Sequence, residues 1–430
     1  MNSARARRSL VSLPAHRPSL RPALRLLPLV LAAALAAGSA GCTLNPGPSS
    51  AAEPSASASP SPSPIPSPTP RDVRFTLLAA GDVLPHGPVN ESARTGDGFE
   101  YSPLLAGIDP WVAAADLALC HLEVPVAPPG VTPSGYPVFR APHEVVRDLG
   151  EQGWDGCSTA SNHAADAGFD GLKAALDALD AAGMGHVGTA RDREESLAPQ
   201  LYELTREGRT VTVAHLAATY GLNGFEPPEG EWSVDLIDTD RIVRQAKEAR
   251  AAGADLVVVS LHDGYEYVTE PTPHQREATE ALARSRQVDL VIGHHAHVPQ
   301  PITRLEGGPG RKGMWVAYGL GNLLSNQGPD CCVLATTAGL MMVADVVQRP
   351  GKPARVTDVR WAATTVDLAA GHRLRGTREA IAHPEQGTLS AGDLEQRLAI
   401  AQDAVGDAAD ELREPPLPSG GPAPRVVPRP

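Results

Sequence analysis

Between residues 72 and 325 short apolar runs recur, and each stops at a polar side chain of a kind that binds metals or ligands. "VRFTLLAAGD" stops at Asp82, "ADLALCHLE" at Glu123, and "WDGCSTASNH" at Asn162 and His163. "ADLVVVSLHDG" closes on His262, "VDLVIGHHAH" on His295 and His297, and "WVAYGLGN" on Asn322. Apolar on both faces, these runs read as buried strands of a largely parallel sheet. Parallel neighbours need crossovers, and the segments between the runs carry helical spacing. "APHEVVRDLGEQG" has Pro142 where a first turn tolerates it, and "FDGLKAALDALDAAG" sets Leu172, Leu176 and Leu179 on one face. "DTDRIVRQAKEARAAG" and "TPHQREATEALARSR" repeat the design ahead of the two histidine-bearing runs. The pattern predicts an α/β fold.

Strand direction then has a chemical consequence. In open α/β sheets ligands bind outside the carboxyl ends of the strands. Asp82, Glu123, Asn162, His163, His262, His295 and His297 are therefore expected at one rim. A single histidine is ordinarily a hydrogen-bonded bystander. The three in "GHHAH", joined by carboxylates and an amide from upstream runs, point instead to divalent metal ions held by nitrogen and oxygen, which suits Mn, Fe or Zn better than calcium.

Composition narrows the setting. A net charge of -13, with no basic stripe beyond the N-terminus, argues against nucleic acid as a partner. The first residues carry Arg5, Arg7, Arg8, Arg17, Arg21 and Arg25 and no acid ahead of "LLPLVLAAALAAG", which reads as an export signal over 1–41. It ends in "GSAGC", which looks like a bacterial lipoprotein cleavage site with Cys42 as the lipidated residue, although Ser39 stands where leucine is usual. Residues 42–70 form a Pro/Ser-rich disordered tether, so the expected location is extracytoplasmic, lipid-anchored to the outer face of the bacterial cell membrane.

The globular part is expected over 71–350, with strands and a helix over 351–412 completing it and a disordered tail over 413–430. "RVTDVRWAATTVDL" reads as added edge strands, and Leu394, Leu398, Ala401 and Val405 mark one face of an amphipathic helix. Cys120, Cys157, Cys331 and Cys332 permit a disulfide in an oxidising compartment, but their pairing is not deducible, and the absence of C-x-x-C argues against a cysteine zinc site.

Taken in order, "LLAAGD", "HLEVPV", "TASNHAADAGFDGL", "SLHDGYEY", "IGHHAHVPQP" and "YGLGNLLSNQ" resemble the bacterial capsule-synthesis CapA family of the poly-γ-glutamate biosynthesis type, itself similar to calcineurin-like metallophosphoesterases. The likeness covers roughly residues 72–345. It implies a four-layer α/β/β/α sandwich, metallo-dependent phosphatase-like, with two divalent ions at a sheet edge. Carried over by motif, Asp82 serves one ion with His297, Glu123 bridges, and Asn162, His262 and His295 hold the second. His294 is left an orienting role, and His163 becomes a general acid or an oxyanion-stabilising group. Arg140, Tyr265, Glu266 and Tyr267 stand where they would meet an anionic or sugar-like substrate, and Asn322 and Gln327 support the site through hydrogen bonds.

The chain departs from the family pattern at the start. Such phosphoesterases open with Asp-x-His, whereas Val83 and Leu84 follow Asp82, so the first ion lacks a ligand and is weakly held unless His86 swings in. His121 and Ser161 stand where the family usually has asparagine, and the bridging acid is Glu123 rather than aspartate. Two functions stay open. One is a metal-dependent hydrolase of a phosphoester or anionic polymer linkage in capsule or cell-wall assembly. The other is a non-catalytic accessory that binds an anionic envelope polymer or scaffolds its synthesis machinery around a structural or degenerate metal site.

Overall fold

The computed structural model describes residues 71–430; the export signal, Cys42 and the tether lie outside the described residues. Strands are β1 (Val73–Val83), β2 (Leu117–Leu122), β3 (Gly156–Ser158), β4 (Gly185–Val187), β5 (Gln200–Arg206), β6 (Arg209–Thr219), β7 (Leu256–His262) and β8 (Leu290–His294). They continue as β9 (Ile302–Leu305), β10 (Met314–Ala317), β11 (Asn322–Leu324), β12 (Ala338–Gln348), β13 (Arg355–Asp367), β14 (Arg373–Gly376), β15 (Asp410–Glu411) and β16 (Arg425–Val427). The main helices are α1 (Glu144–Gln152), α2 (Gly168–Ala181), α3 (Thr239–Ala251), α4 (Pro273–Ser285) and α5 (Ala391–Val405).

The strands form two large sheets, as the four-layer sandwich implied by the resemblance requires, where the apolar runs by themselves read as one largely parallel sheet. The first runs β14-β13-β12-β1-β2-β3-β4, with β11 also beside β1 and β15 beside β13; the second runs β9-β10-β8-β7-β6-β5-β16. Each has a parallel half, β1 to β4 and β6-β7-β8-β10, extended by antiparallel strands. Strand alternation explains the layering. Leu78 and Ala80 face α1 and α2 through Val146, Leu149, Leu172 and Leu176, while Leu77 and Ala79 face the second sheet at Val213, Val258 and Ile292. The far face of the second sheet meets Ile242 and Ala246 of α3 and Leu282 of α4. The result is an α/β/β/α sandwich in four layers, with both faces of each sheet buried.

The six apolar runs divide between the sheets, and "WVAYGLGN" itself is broken. Its first half is β10 in the second sheet and its end is β11 in the first. The chain crosses through Gly321, at φ 66°, so close to β1 that a Cβ on Gly81 would lie 2.1 Å from the Gly321 carbonyl oxygen. No other residue permits that approach. β5 and β6, joined at a Glu207-Gly208 turn, and β12 were not singled out by the pattern; β13, read as an edge strand, lies inside β14. α5 does bury Leu394, Leu398, Ala401 and Val405.

The expected disordered tail over 413–430 is likewise corrected. β16 pairs antiparallel with β5, Ser419 bonds Asp116, and the Arg429 guanidinium donates to the carbonyls of His186, Thr189 and Glu195. Proline-rich composition bars a hydrophobic core, but an open sheet edge needs only backbone partners and a few side-chain donors. Arg429→Ala is accordingly expected to cost roughly 1–3 kcal/mol in urea unfolding, the price of stranding those acceptors. An unchanged midpoint would show that the segment adds nothing to stability.

Candidate metal centre

Parallel register brings the first ligands together. β1 and β2 place Asp82 beside His121, and β7 and β8 place His262 beside His294. The sheets then meet through imidazoles: the His121 and His294 rings stack with centroids 4.0 Å apart, and His294 Nδ1 lies 3.1 Å from Asp82 Oδ1. Asp82, His121 and His294 offer ligand atoms within 4.8 Å of one another, and so do Glu123, His295 and His297. All six are buried.

The "GHHAH" turn contributes by adopting an unusual backbone. His295 and His297 have φ of 89° and 57°, in the left-handed region that costs a non-glycine residue of order 1–3 kcal/mol. Hydrogen bonds hold it there. The His295 amide donates to Asp82 Oδ2 at 3.1 Å, and His297 Nδ1 lies 3.2 Å from Asp82 Oδ2 and 3.1 Å from Asn322 Oδ1. Asn322 is itself tied to Gln327 and Thr336. With Nδ1 engaged, His297 turns Nε2 to Glu123 Oε1 at 3.7 Å, the arrangement by which an outer partner orients a metal-binding imidazole. A second chain can be assigned from its partners: Ser158 Oγ donates to His121 Nδ1 at 2.8 Å, His121 Nε2 to His262 Nδ1 at 2.9 Å, and His262 Nε2 to Asn162 Oδ1 at 2.8 Å.

Glu123 carries the test for a cation. It is wholly buried, yet neither carboxylate oxygen has a hydrogen-bond partner, and His295 Nδ1 beside it is also unpartnered. Buried polar atoms are nearly always paired. Here the unpaired ones cluster, with His297 and His262 nitrogens 3.7 Å and 3.9 Å from Glu123 Oε1, beyond hydrogen-bond range. Mixed nitrogen and carboxylate donors around that space fit a divalent transition metal.

Burial pushes the Glu123 carboxyl up to about 8, and it draws His121 and His262 well below the ordinary imidazole range and His295 down to about 3. Burial opposes charge on Asp82 as well, but hydrogen bonds to His294 and His297 outweigh it and hold that carboxyl well below the usual range. At His297 burial is overcome by Glu123 and Asp82, which raise it to about 9.

The seven strand-end residues expected together are together, although they come from two sheets. His294 stands directly against Asp82 rather than behind the ligands. His86 is not the missing partner of Asp82: its Nδ1 is held by the Leu84 carbonyl oxygen at 2.9 Å and its ring meets Phe139 edge-on, while His121 occupies the place beside Asp82. Arg140 borders neither cavity at the centre and contacts Ser134 instead, because its own loop turns Tyr136 to Phe139 inward.

Two residues were missed. His121 is two positions from Glu123 on an extended run, so alternation puts both on one face. Asp166, three positions after His163, accepts His163 Nδ1 at 2.8 Å and the Phe139 amide at 2.8 Å. His163 opens onto a cavity of about 700 Å³ walled also by Tyr136, Phe225, Glu266, Tyr267 and His297. On the other side of Glu266 lies a second, of about 760 Å³, with Tyr220, Tyr265, His274 and His295 in its wall. Cys120 and Cys157, paired in register on β2 and β3, form a disulfide, and Cys331 is joined to Cys332 beside the first cavity.

Known proteins resemble this chain in part. The family described as "Bacterial capsule synthesis protein PGA_cap" matches residues 76–327. "Capsule biosynthesis protein CapA" of Bacillus anthracis is 29% identical over 191 residues, 44% of this chain and 44% of that protein. A "Probable polyglutamine synthesis accessory protein" of Mycobacterium tuberculosis is 26% identical over 224 residues, 50% of this chain and 56% of that one. The chain thus spans about half the length of the curated relatives it matches. Among solved structures, the Haemophilus influenzae NAD nucleotidase aligns over 79% of this chain and 65% of its own, at 12% identity and a TM-score of 0.45.

Proposed function

Since the chain belongs to the bacterial capsule synthesis family PGA_cap, we propose that it is a metal-dependent hydrolase that cuts a phosphoester linkage during assembly of a capsule or cell-wall polymer. The observation that carries this reading is the buried, unpartnered Glu123 carboxylate amid histidines, beside a cavity into which His163 opens. Asp82, His121 and His294 would hold one ion; Glu123, His295 and His297, with Asn162 and His262, would hold the other, once His121 and His262 give up the hydrogen bonds that now occupy their ring nitrogens. Bound there, paired divalent ions supply Lewis acidity toward a phosphoryl oxygen and make water a nucleophile near neutral pH.

The chain's own residues do the rest. Asp166 occupies His163 Nδ1, which leaves Nε2 as the nitrogen available to give a proton to a departing oxygen. Asn322 and Asp82 keep His297 in one orientation. Glu266 and Tyr267 wall the cavity on the opposite side and confine the substrate.

We further propose that the protein works outside the cytoplasm, anchored through a lipid on Cys42 at the outer face of the membrane. The Cys120–Cys157 disulfide supports an oxidising compartment, and among the described residues no helix is long and apolar enough to cross a membrane. The rival reading, an accessory without catalysis, draws on the printed name of the mycobacterial relative. Protein purified without chelator is expected to carry about two metal ions per chain and to turn over a generic phosphodiester until chelated. Cys42→Ala is expected to move it from the membrane fraction to the soluble one. Metal without turnover would favour the accessory reading, and a chain that binds no metal would end the hydrolase and leave an accessory with a degenerate site.

A further inference from the structure

Among the described residues the exposed aromatic side chains are Tyr136, Tyr220, Phe225 and Tyr265, and every one borders one of the two cavities at the metal centre. Aromatic residues make up only 4% of the chain, so the gathering of all the exposed ones at one place is not the scatter expected of a solvated surface. The cavities are also continuous in composition. Glu266 borders both, with Tyr267 and His297 on one side of it and Tyr265 and His295 on the other. A substrate lying along them would cross the centre instead of ending there.

Charge decides what kind of chain fits. Neither cavity is walled by a lysine or an arginine. The acids are Asp166 and Glu266 in the first and Asp263, Glu266 and Glu277 in the second, where His274 is already paired with Asp263 at 2.7 Å. A polymer with a carboxylate on every unit would meet repulsion at each position away from the metals. The chain does gather cations, Arg284, Arg286, Arg304 and Arg311, but around a pocket at the starting end of β8, the end away from His294. Sugar rings have the opposite preferences: their C–H faces lie against tyrosine and phenylalanine, and their hydroxyls donate to carboxylates.

We propose that the two cavities form one groove for a linear glycan of uncharged sugar units, whose single charged group, a phosphodiester, lies over the metal centre, so that cleavage falls within the chain. Only the fate of the ester rests on the hydrolytic reading above; the binding does not. Cleavage there consumes one water: the bond from phosphorus to the leaving sugar oxygen breaks, a bond from phosphorus to the water oxygen forms, and the water proton ends on the leaving oxygen.

The test is calorimetric titration of the full protein with a panel of uncharged hexasaccharides, β-1,4-linked N-acetylglucosamine, α-1,4-linked glucose and α-1,6-linked mannose, and separately with poly-γ-glutamate. At least one hexasaccharide is expected to bind, with an affinity unmoved by salt or chelation and weakened roughly tenfold in a Tyr136→Ala, Tyr265→Ala double variant through loss of two ring contacts. Both side chains are exposed, at 78% and 66%, so the double variant tests binding and not folding. Binding of poly-γ-glutamate alone, binding of nothing in the panel, or hexasaccharide binding untouched by the double variant would each overturn the proposal. Glycan binding in a protein that cleaves no phosphodiester would leave it standing and sink the hydrolase.

Discussion

Glutamine in place of Glu123 is expected to remove a large part of the stabilisation that divalent metal confers, while leaving the metal-free protein no less stable than the parent. Most buried carboxylates sit among donors that would be stranded by their loss. Glu123 has none: both oxygens are unpaired, and burial, helped by the Asp82 carboxylate and opposed by His297, pushes its carboxyl up to about 8. Replacing an unpartnered buried carboxyl of that kind by its amide breaks no hydrogen bond and leaves no charge to desolvate. Metal binding reverses the balance, since a ligand at a hundredfold excess over its Kd adds about 2.7 kcal/mol to the native state. Thermal unfolding of parent and Glu123→Gln, each chelated and then titrated with manganese, separates the two effects. A metal-dependent rise in Tm of equal size in both proteins would remove Glu123 from the metal site.

His163→Ala is expected to lower turnover of a phosphodiester by about 10²–10⁴ through kcat, the usual worth of a positioned acid, with metal content unchanged. The ring's only partner at Nδ1 is Asp166, so Asp166→Asn should give a smaller loss by freeing the ring to rotate. Asp166 is a positioning residue, and its variant should also loosen the loop that carries the Phe139 amide. Unchanged kcat in His163→Ala would take the residue out of the chemistry. Loss of metal together with activity would instead make it part of the metal site's support.

Reading of the fold from sequence succeeded where the signal is local. The helices α1 to α4 follow from apolar residues at helical spacing, and Thr272 with Gln275 closes a capping box that any reader of "TPHQ" can anticipate. Strand ends were legible because each buried run gives way abruptly to a polar residue. His121 shares a strand face with Glu123, but it stands where the family has asparagine, and alternation marks its face without saying that the face meets Asp82 and His294. Arg140 and His86 went the other way: both were attractive as residue types near motifs, and loop paths that no periodicity encodes took them elsewhere.

By itself, then, the order of residues determined which side chains end the strands, that these are metal-binding types, and that helices return the chain between them. Tertiary structure decided that the strands fall into two facing sheets, that His121 and not His86 stands at Asp82, that Arg429 anchors the C-terminal segment, and that the exposed aromatics line one groove. The physical reason is range. Periodicity records whether a face is buried, over a few residues and within one element. Which surface buries it, and which residue two hundred positions away then comes within bonding distance, depends on how whole sheets pack about 10 Å apart.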